Sequence, residues 1–226
     1  MAFATSLHPP ELATYLESLL GHYLPDGQDT RGLIAAHLPA TLARVEHCFS
    51  RIHRKYYAHD GEVRFDHLNS DHMSAFLWFL GNTIWSATGD TVVPTKLFYL
   101  NKVMNGLDLY FSVPMPEIFL LVHPVGSVIG AARYGDYLVV YQNCTIGSDA
   151  GVYPRFGEGT ILYARAGVIG DCEVGDDVVF AANSFVVNTP IPAKSIVVGQ
   201  FPQQRVLDNP RSVRERLFEQ APLENT

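Results

Sequence analysis

Near neutral pH the side chain best suited to taking and returning a proton is histidine. The chain has nine histidines, and eight of them (His8, His22, His37, His47, His53, His59, His67 and His72) lie within the first 72 residues. His123 stands alone in the remainder. It is the candidate general base of that half, set against the plainer role of fixing the chain through ring hydrogen bonds. Asp136 and Asp71 are candidate carboxylates to orient its ring or bind an acceptor. Asp71 precedes His72 as Asp66 precedes His67, but sequence neighbours on a helix do not face one another, so neither pair is a ready-made dyad. His72 is carried forward as a candidate contact to substrate. Cys48, Cys144 and Cys172 are odd in number and lack metal-ligand spacing, so buried free thiols and no metal are expected. No phosphate-binding Walker loop or nucleophile elbow is present.

What positions His123 is a repeat. From Val122 to Val186 an aliphatic or aromatic residue returns every sixth position through two runs: Val122, Val128, Tyr134, Val140 and Ile146, then Phe156, Leu162, Val168, Val174, Phe180 and Val186. A helix spaces apolar residues three and four apart and a strand alternates them. A strict six is the mark of a β-solenoid, whose units must stack to bury their apolar faces. Position one points inward and position five, nearly always small or apolar, turns the corner. Three sixes make a triangular coil, and three to four coils are expected. The phase slips between Ile146 and Phe156, so SDAGVYPR is read as an excursion from the wall, where function is commonly held.

The preceding residues read as helices. Residues 9–24 carry Leu12, Tyr15, Leu16, Leu19 and Leu20 at helical spacing behind two prolines. A second helical stretch from Thr30 to about Tyr57 is divided by Pro39, with His47, Arg51 and His53 to Lys55 on its wet side. YAHDGEVRFDHLNS reads as a loop. Ser70 or Asp71 then caps an almost wholly apolar helix over 72–86, and a further helix covers about 94–105. The fold class is an α-helical domain (1–115), a β-solenoid (116–207) and a short helical tail (208–226) that starts at Asn-Pro and caps the last coil.

Hydrophobic residues are 47% and charged residues 17%, and the net charge is -7. That balance supports a good core and argues against a nucleic-acid or anionic-membrane surface. The start, MAFATSLHPP, has no signal-peptide pattern, and no 18-residue apolar run appears, so a reduced, cytoplasmic protein is expected.

The motifs resemble a family. VYQNCTIGS resembles the ILQSVTLGG coil, YPRFGEGTILYARAGVIGDCEVGDDVVFAANSFVV resembles HPKIxxGVxIGAGAxILGxIxVGxxxxIGAGSVV, and PIPAKSIVVGQFPQQRV resembles PVPPxxxxxGxPARxV, all of the serine acetyltransferase group of left-handed β-helix hexapeptide acyltransferases. The whole layout looks closer still to the serine-acetyltransferase-like enzymes of bacterial surface-polysaccharide gene clusters. The family's LDHATG coil is missing, and its HP after the excursion is replaced by Tyr153-Pro154. The resemblance implies an acetyl-CoA-dependent acetyltransferase and a homotrimer, with trimers pairing through the helices as a further option. His123, one coil before Gln142, would occupy the vacated base position. The coenzyme arm would run past Ala164, Arg165, Ala181 and Ala182, with Lys194 and Arg205 for its phosphates. Gln142 and Tyr153 would join His72 in holding the acceptor. A sugar or nucleotide sugar is the first expectation for that acceptor and L-serine the second. A non-catalytic scaffold, with Trp78 and Trp85 on a partner surface, is the alternative.

Overall fold

The computed structural model describes residues 2–53, 57–59 and 62–218. Arg54, Lys55 and the end of the tail lie outside the described residues.

Helix α1 (Pro9–Tyr23) starts where Pro9 and Pro10 supply preset backbone angles and Glu11 accepts the His8 N–H at 2.9 Å. It buries Leu12, Leu16 and Leu20. Helix α2 (Arg31–Phe49) runs unbroken through Pro39, against the expected division. Ala35, whose carbonyl loses a partner there, lies on the exposed side of the helix, where water can replace the missing donor. The expected loop is also corrected. β1 (Ala2–Thr5) pairs parallel with β3 (Glu62–Phe65), and β2 (Ala58–His59) pairs antiparallel with β3. Val63 and Phe65 of this small sheet are buried. Helix α3 (Ser70–Thr88) is capped by Asn69 rather than Ser70 or Asp71 and is buried over most of its length. Helix α4 (Val92–Asn105) ends on Gly106, whose φ of 65° suits a residue without Cβ.

The remainder is the expected left-handed parallel β-helix. One face stacks β5 (Phe119–Leu121), β7 (Leu138–Val140), β10 (Thr160–Leu162), β13 (Val178–Phe180) and β15 (Ser195–Val198). A second stacks β4 (Asp108–Leu109), β6 (Val128–Ile129), β8 (Thr145–Gly147), β11 (Gly167–Ile169) and β14 (Phe185–Val187). The third holds β9 (Arg155–Phe156) and β12 (Glu173–Val174), extended by bridges from Arg133 to Arg155 and from Val174 to Ile191. Two faces thus carry five parallel strands each, more than the three to four coils expected. β4 brings the solenoid back to Asp108, inside the segment read as helical domain.

The inward column confirms the repeat from Val140 onward, with Val140, Ile146, Leu162, Val168, Phe180 and Val186 all at 0% exposure. The first coil departs from it. Leu121, not Val122, pairs with Val140, and Ile129, not Val128, pairs with Ile146. Val128 is 43% exposed. The cause is the corner between β5 and β6, which holds residues 122–127 where the next three corners hold only 141–144, 163–166 and 181–184. A side one residue short follows, from Ile129 to Tyr134, and it disguises the longer corner in the sequence.

Among the described residues the helix of the tail does not cap the last coil. That edge is covered by β16 (Arg205–Asp208), antiparallel to β15, an arrangement that leaves fewer free edge groups. Helix α5 (Val213–Leu217) instead turns back along the side of the prism. The Val213 N–H donates to Asp177 Oδ1 at 2.9 Å, Phe218 meets the Tyr137 ring edge-on, and the Leu217 carbonyl accepts the His53 N–H at 2.9 Å. Helical domain, solenoid and tail share one continuous apolar core.

Candidate active site

The long first corner presents His123 with its side chain 77% exposed. Its φ is 48°, in the left-handed region that residues with a Cβ seldom adopt. Neighbouring bonds hold this conformation. The Val122 N–H donates to the Val140 carbonyl, the Val125 N–H to the His123 carbonyl and the Gly126 N–H to the Gly106 carbonyl. Ser127 replaces the backbone partners that the longer corner displaces. Its hydroxyl donates to the Tyr141 carbonyl at 2.9 Å and accepts the Cys144 N–H at 3.0 Å, although the residue is 1% exposed. A side chain on Gly126 would run into the Asn143 amide.

The carboxylate facing His123 comes from the helical domain. Asp71, in the first turn of α3, accepts the His123 N–H on Oδ1 at 3.1 Å, and its Oδ2 lies 3.6 Å from the ring Nδ1. The second separation is longer than a hydrogen bond, and a modest ring rotation would close it. Burial raises the Asp71 carboxyl above the ordinary carboxylate range, opposed by the His123 N–H and by the charge the ring carries when protonated. The joint is braced behind this pair. Cys48 donates to the Phe119 carbonyl at 3.2 Å, and burial pushes its thiol up to about 12. The Tyr57 hydroxyl reaches the Leu121 carbonyl at 3.5 Å.

The other predicted site residues divide by corner. Pairing of Leu121 with Val140, Val140 with Leu162 and Leu162 with Phe180 puts His123, Gln142, Ala164 and Ala182 in one column, each two residues past its paired strand end. Ala181 and Arg165 flank that column. Arg205, in register with Val198, comes to the same edge of the face on the last coil. The Gln142 side-chain oxygen is sealed without a hydrogen-bond partner in the described structure.

Asp136, Lys194, Tyr153 and His72 are not brought there. Asp136 sits at the opposite end of the β5–β7 face, where its Oδ1 accepts the Ile118 N–H at 3.0 Å. A strand of three residues, about 10 Å, separates it from His123. Lys194 stands on that same far corner, its N–H donating to the Asp176 carbonyl at 2.7 Å. Tyr153 belongs to the excursion on the third corner. There it packs over Gly130 and lines a cavity of about 510 Å³ with Arg133, Val152 and Arg155. His72 is 0% exposed, among Phe49, Tyr57 and Phe65, so it does not reach a substrate. Its Nδ1 accepts the Asp66 N–H at 3.1 Å, and burial lowers its titration to about 4. Trp78 is likewise 3% exposed, against Phe79 and Phe119 with Arg44 over its ring, and so offers no partner surface.

The fold itself, a helical domain leading into a triangular prism, is shared with solved serine acetyltransferases. The chain superimposes on serine acetyltransferase from Neisseria gonorrhoeae with a TM-score of 0.72 at 18% identity, covering 90% of this chain and 80% of that one. For serine acetyltransferase from Vibrio cholerae O1 biovar El Tor N16961 the TM-score is 0.67 at 17% identity, covering 90% and 81%. A serine acetyltransferase in complex with CoA gives 0.68 at 16%, covering 89% and 85%. In sequence, the chain is 31% identical over 125 residues to serine acetyltransferase from Mycobacterium tuberculosis (strain ATCC 25618 / H37Rv), 53% of this chain and 54% of the relative. It is 28% identical over 113 residues to that of Synechococcus elongatus, 48% and 46%. The chain spans about half the length of these curated relatives. No family model matches it.

Proposed function

We propose that the protein is an acyltransferase that moves an acetyl group from acetyl-CoA to a small hydroxyl- or amine-bearing acceptor. The observation that carries this reading is the exposed His123 ring with the Asp71 carboxylate at its Nδ1 edge. With the ring turned to close the 3.6 Å separation, Asp71 holds the proton on Nδ1 and leaves Nε2 free to receive one. His123 takes the proton of the acceptor as its oxygen or nitrogen attacks the thioester carbonyl. The tetrahedral intermediate then collapses, the carbon–sulfur bond breaks, and the departing thiolate receives the proton from the imidazolium. The N–H groups of Ala164 and Ala182, where the side chains are small, would stabilise the developing oxyanion, whereas that of Ala181 is already bonded to the Val197 carbonyl. Arg165 and Arg205 on the same edge suit the phosphates of the coenzyme.

Similarity to serine acetyltransferases supports acetyl-CoA as donor and keeps L-serine as a candidate acceptor. A sugar or nucleotide sugar is the first candidate, from the sequence resemblance to polysaccharide-type enzymes. A homotrimer would cover Val128 and Phe185, which stand 43% and 38% exposed on the second face. Pairing of trimers through the helices, and a cytoplasmic site of action, complete the reading.

Free-thiol release from acetyl-CoA, followed with a panel of sugars, nucleotide sugars and amino acids, tests this. Acceptor-dependent release is expected. Release with none of them, from a protein that sediments at three times its 25.0 kDa chain mass, would remove the enzymatic reading.

A further inference from the structure

Asp71 is the second residue of α3, where the first N–H groups of a helix have no partner within it. A carboxylate there ordinarily turns back onto those N–H groups, drawn by their partial positive charge. In this chain the donors are already taken. Asn69 Oδ1 accepts the Asp71 N–H at 3.0 Å and the His72 N–H at 3.4 Å. Both oxygens of Asp71 are thereby left to face the solenoid, one on the His123 N–H and one toward the ring.

We infer that Asn69 is a positioning residue for the proton-transfer pair: by capping α3 it keeps the Asp71 carboxylate off its own helix and on His123. The loop that delivers Asn69 is fixed on both sides. Its own N–H donates to the Asp66 carbonyl at 3.1 Å, and the Asp66 N–H is held by His72 Nδ1. A cap that is neutral also matters here, because an aspartate in its place would set a second negative charge beside Asp71. The consequence for turnover rests on the acyl-transfer reading; the geometric consequence does not.

The His123 amide reports the geometry without any assay of activity. In the whole protein, Asn69→Ala and Asn69→Gly remove the capping oxygen. Glycine is tolerated at a helix start, so the second variant reads the effect if the first folds poorly. Both should shift the His123 amide proton upfield and speed its hydrogen exchange at least tenfold, as Asp71→Ala should. Asn69→Ser, a neutral cap, should restore both values. Turnover should fall about tenfold in Asn69→Ala, recover in Asn69→Ser, and fall no further when Asn69→Ala is added to Asp71→Ala. The inference is overturned if the amide moves in Asp71→Ala but stays put in both Asn69 variants, or if Asn69→Ser fails to restore it. An amide that responds as expected in a protein with no acetyl transfer leaves the positioning role standing and rejects the catalytic one.

Discussion

Two corners of the prism show opposite ways of building the same turn. At the corner leading from the third face to the first, Gly135, Gly157 and Gly175 stack with no room for a side chain. A Cβ on Gly135 would stand 2.6 Å from the Gly157 carbonyl carbon, and one on Gly175 would stand 2.5 Å from the Ala193 nitrogen. Here backbone lies on backbone, and Asp136 and Asp176 tie successive coils by accepting the N–H groups of Ile118 and Glu158. At the corner after the first face three turns of four residues match and one does not. The first is two residues longer and pushes His123 outward against a helix. The uniform corner holds the coils in register, which allows the other corner to be irregular. The proposed chemistry lies where the repeat is broken, and the repeat is kept where it must be strong.

Substitutions at the two corners should therefore separate turnover from stability. His123→Ala should lower turnover about a hundredfold to ten-thousandfold, the usual contribution of a general base, with unchanged thermal unfolding and oligomeric size. Activity within a few-fold of the parent would take His123 out of the reaction.

The packing behind the His123 corner should show in pH dependence. His72 titrates at about 4 in the fold because burial excludes its charged form, whereas an exposed histidine titrates near 6.5. The unfolded chain therefore binds more protons between those values. The stability from neutral His72 is complete above about pH 6.5 and is lost as pH falls toward 4. Between pH 7 and 5 this should amount to about 2 kcal/mol. The unfolding free energies of the parent and of His72→Leu should change between pH 7 and 5 by amounts that differ by about 2 kcal/mol, and parallel curves would show that His72 titrates normally.

At the glycine corner the effects are on folding alone. Gly135→Ala or Gly175→Ala forces backbone to move and should destabilise by about 1–3 kcal/mol, as overpacking does, visible as a lowered unfolding midpoint with per-molecule turnover retained. The smallest effect belongs to Asp136→Ala. It removes one capping bond and should destabilise by about 1 kcal/mol without altering turnover. A loss of turnover matching that of Asp71→Ala would mean that the far corner takes part in proton transfer after all.

Several of these features were legible along the chain. The six-residue period names the prism, and the excursion at residues 148–154 betrays itself by shifting the phase of every later coil. The insertion at His123 left no such trace, since its two extra residues are nearly cancelled by a short side and Val122 and Val128 imitate the period. Ser70 and Asp71 were read as the possible caps of α3, and only the backbone direction of the first turn selects Asn69 instead. His72 was singled out for its carboxylate neighbour, yet helical geometry sends adjacent side chains apart, one to the joint and one to the core.

By itself the sequence settled the repeating unit, because inward aliphatic residues at a fixed spacing can be buried only by stacking coils. It also settled that only one histidine, His123, stands in that half of the chain. The tertiary structure decided which carboxylate meets it. Asp71 and His123 are 52 residues apart, and their approach depends on how a capped helix docks against a widened turn, a relation between two surfaces that no local spacing encodes.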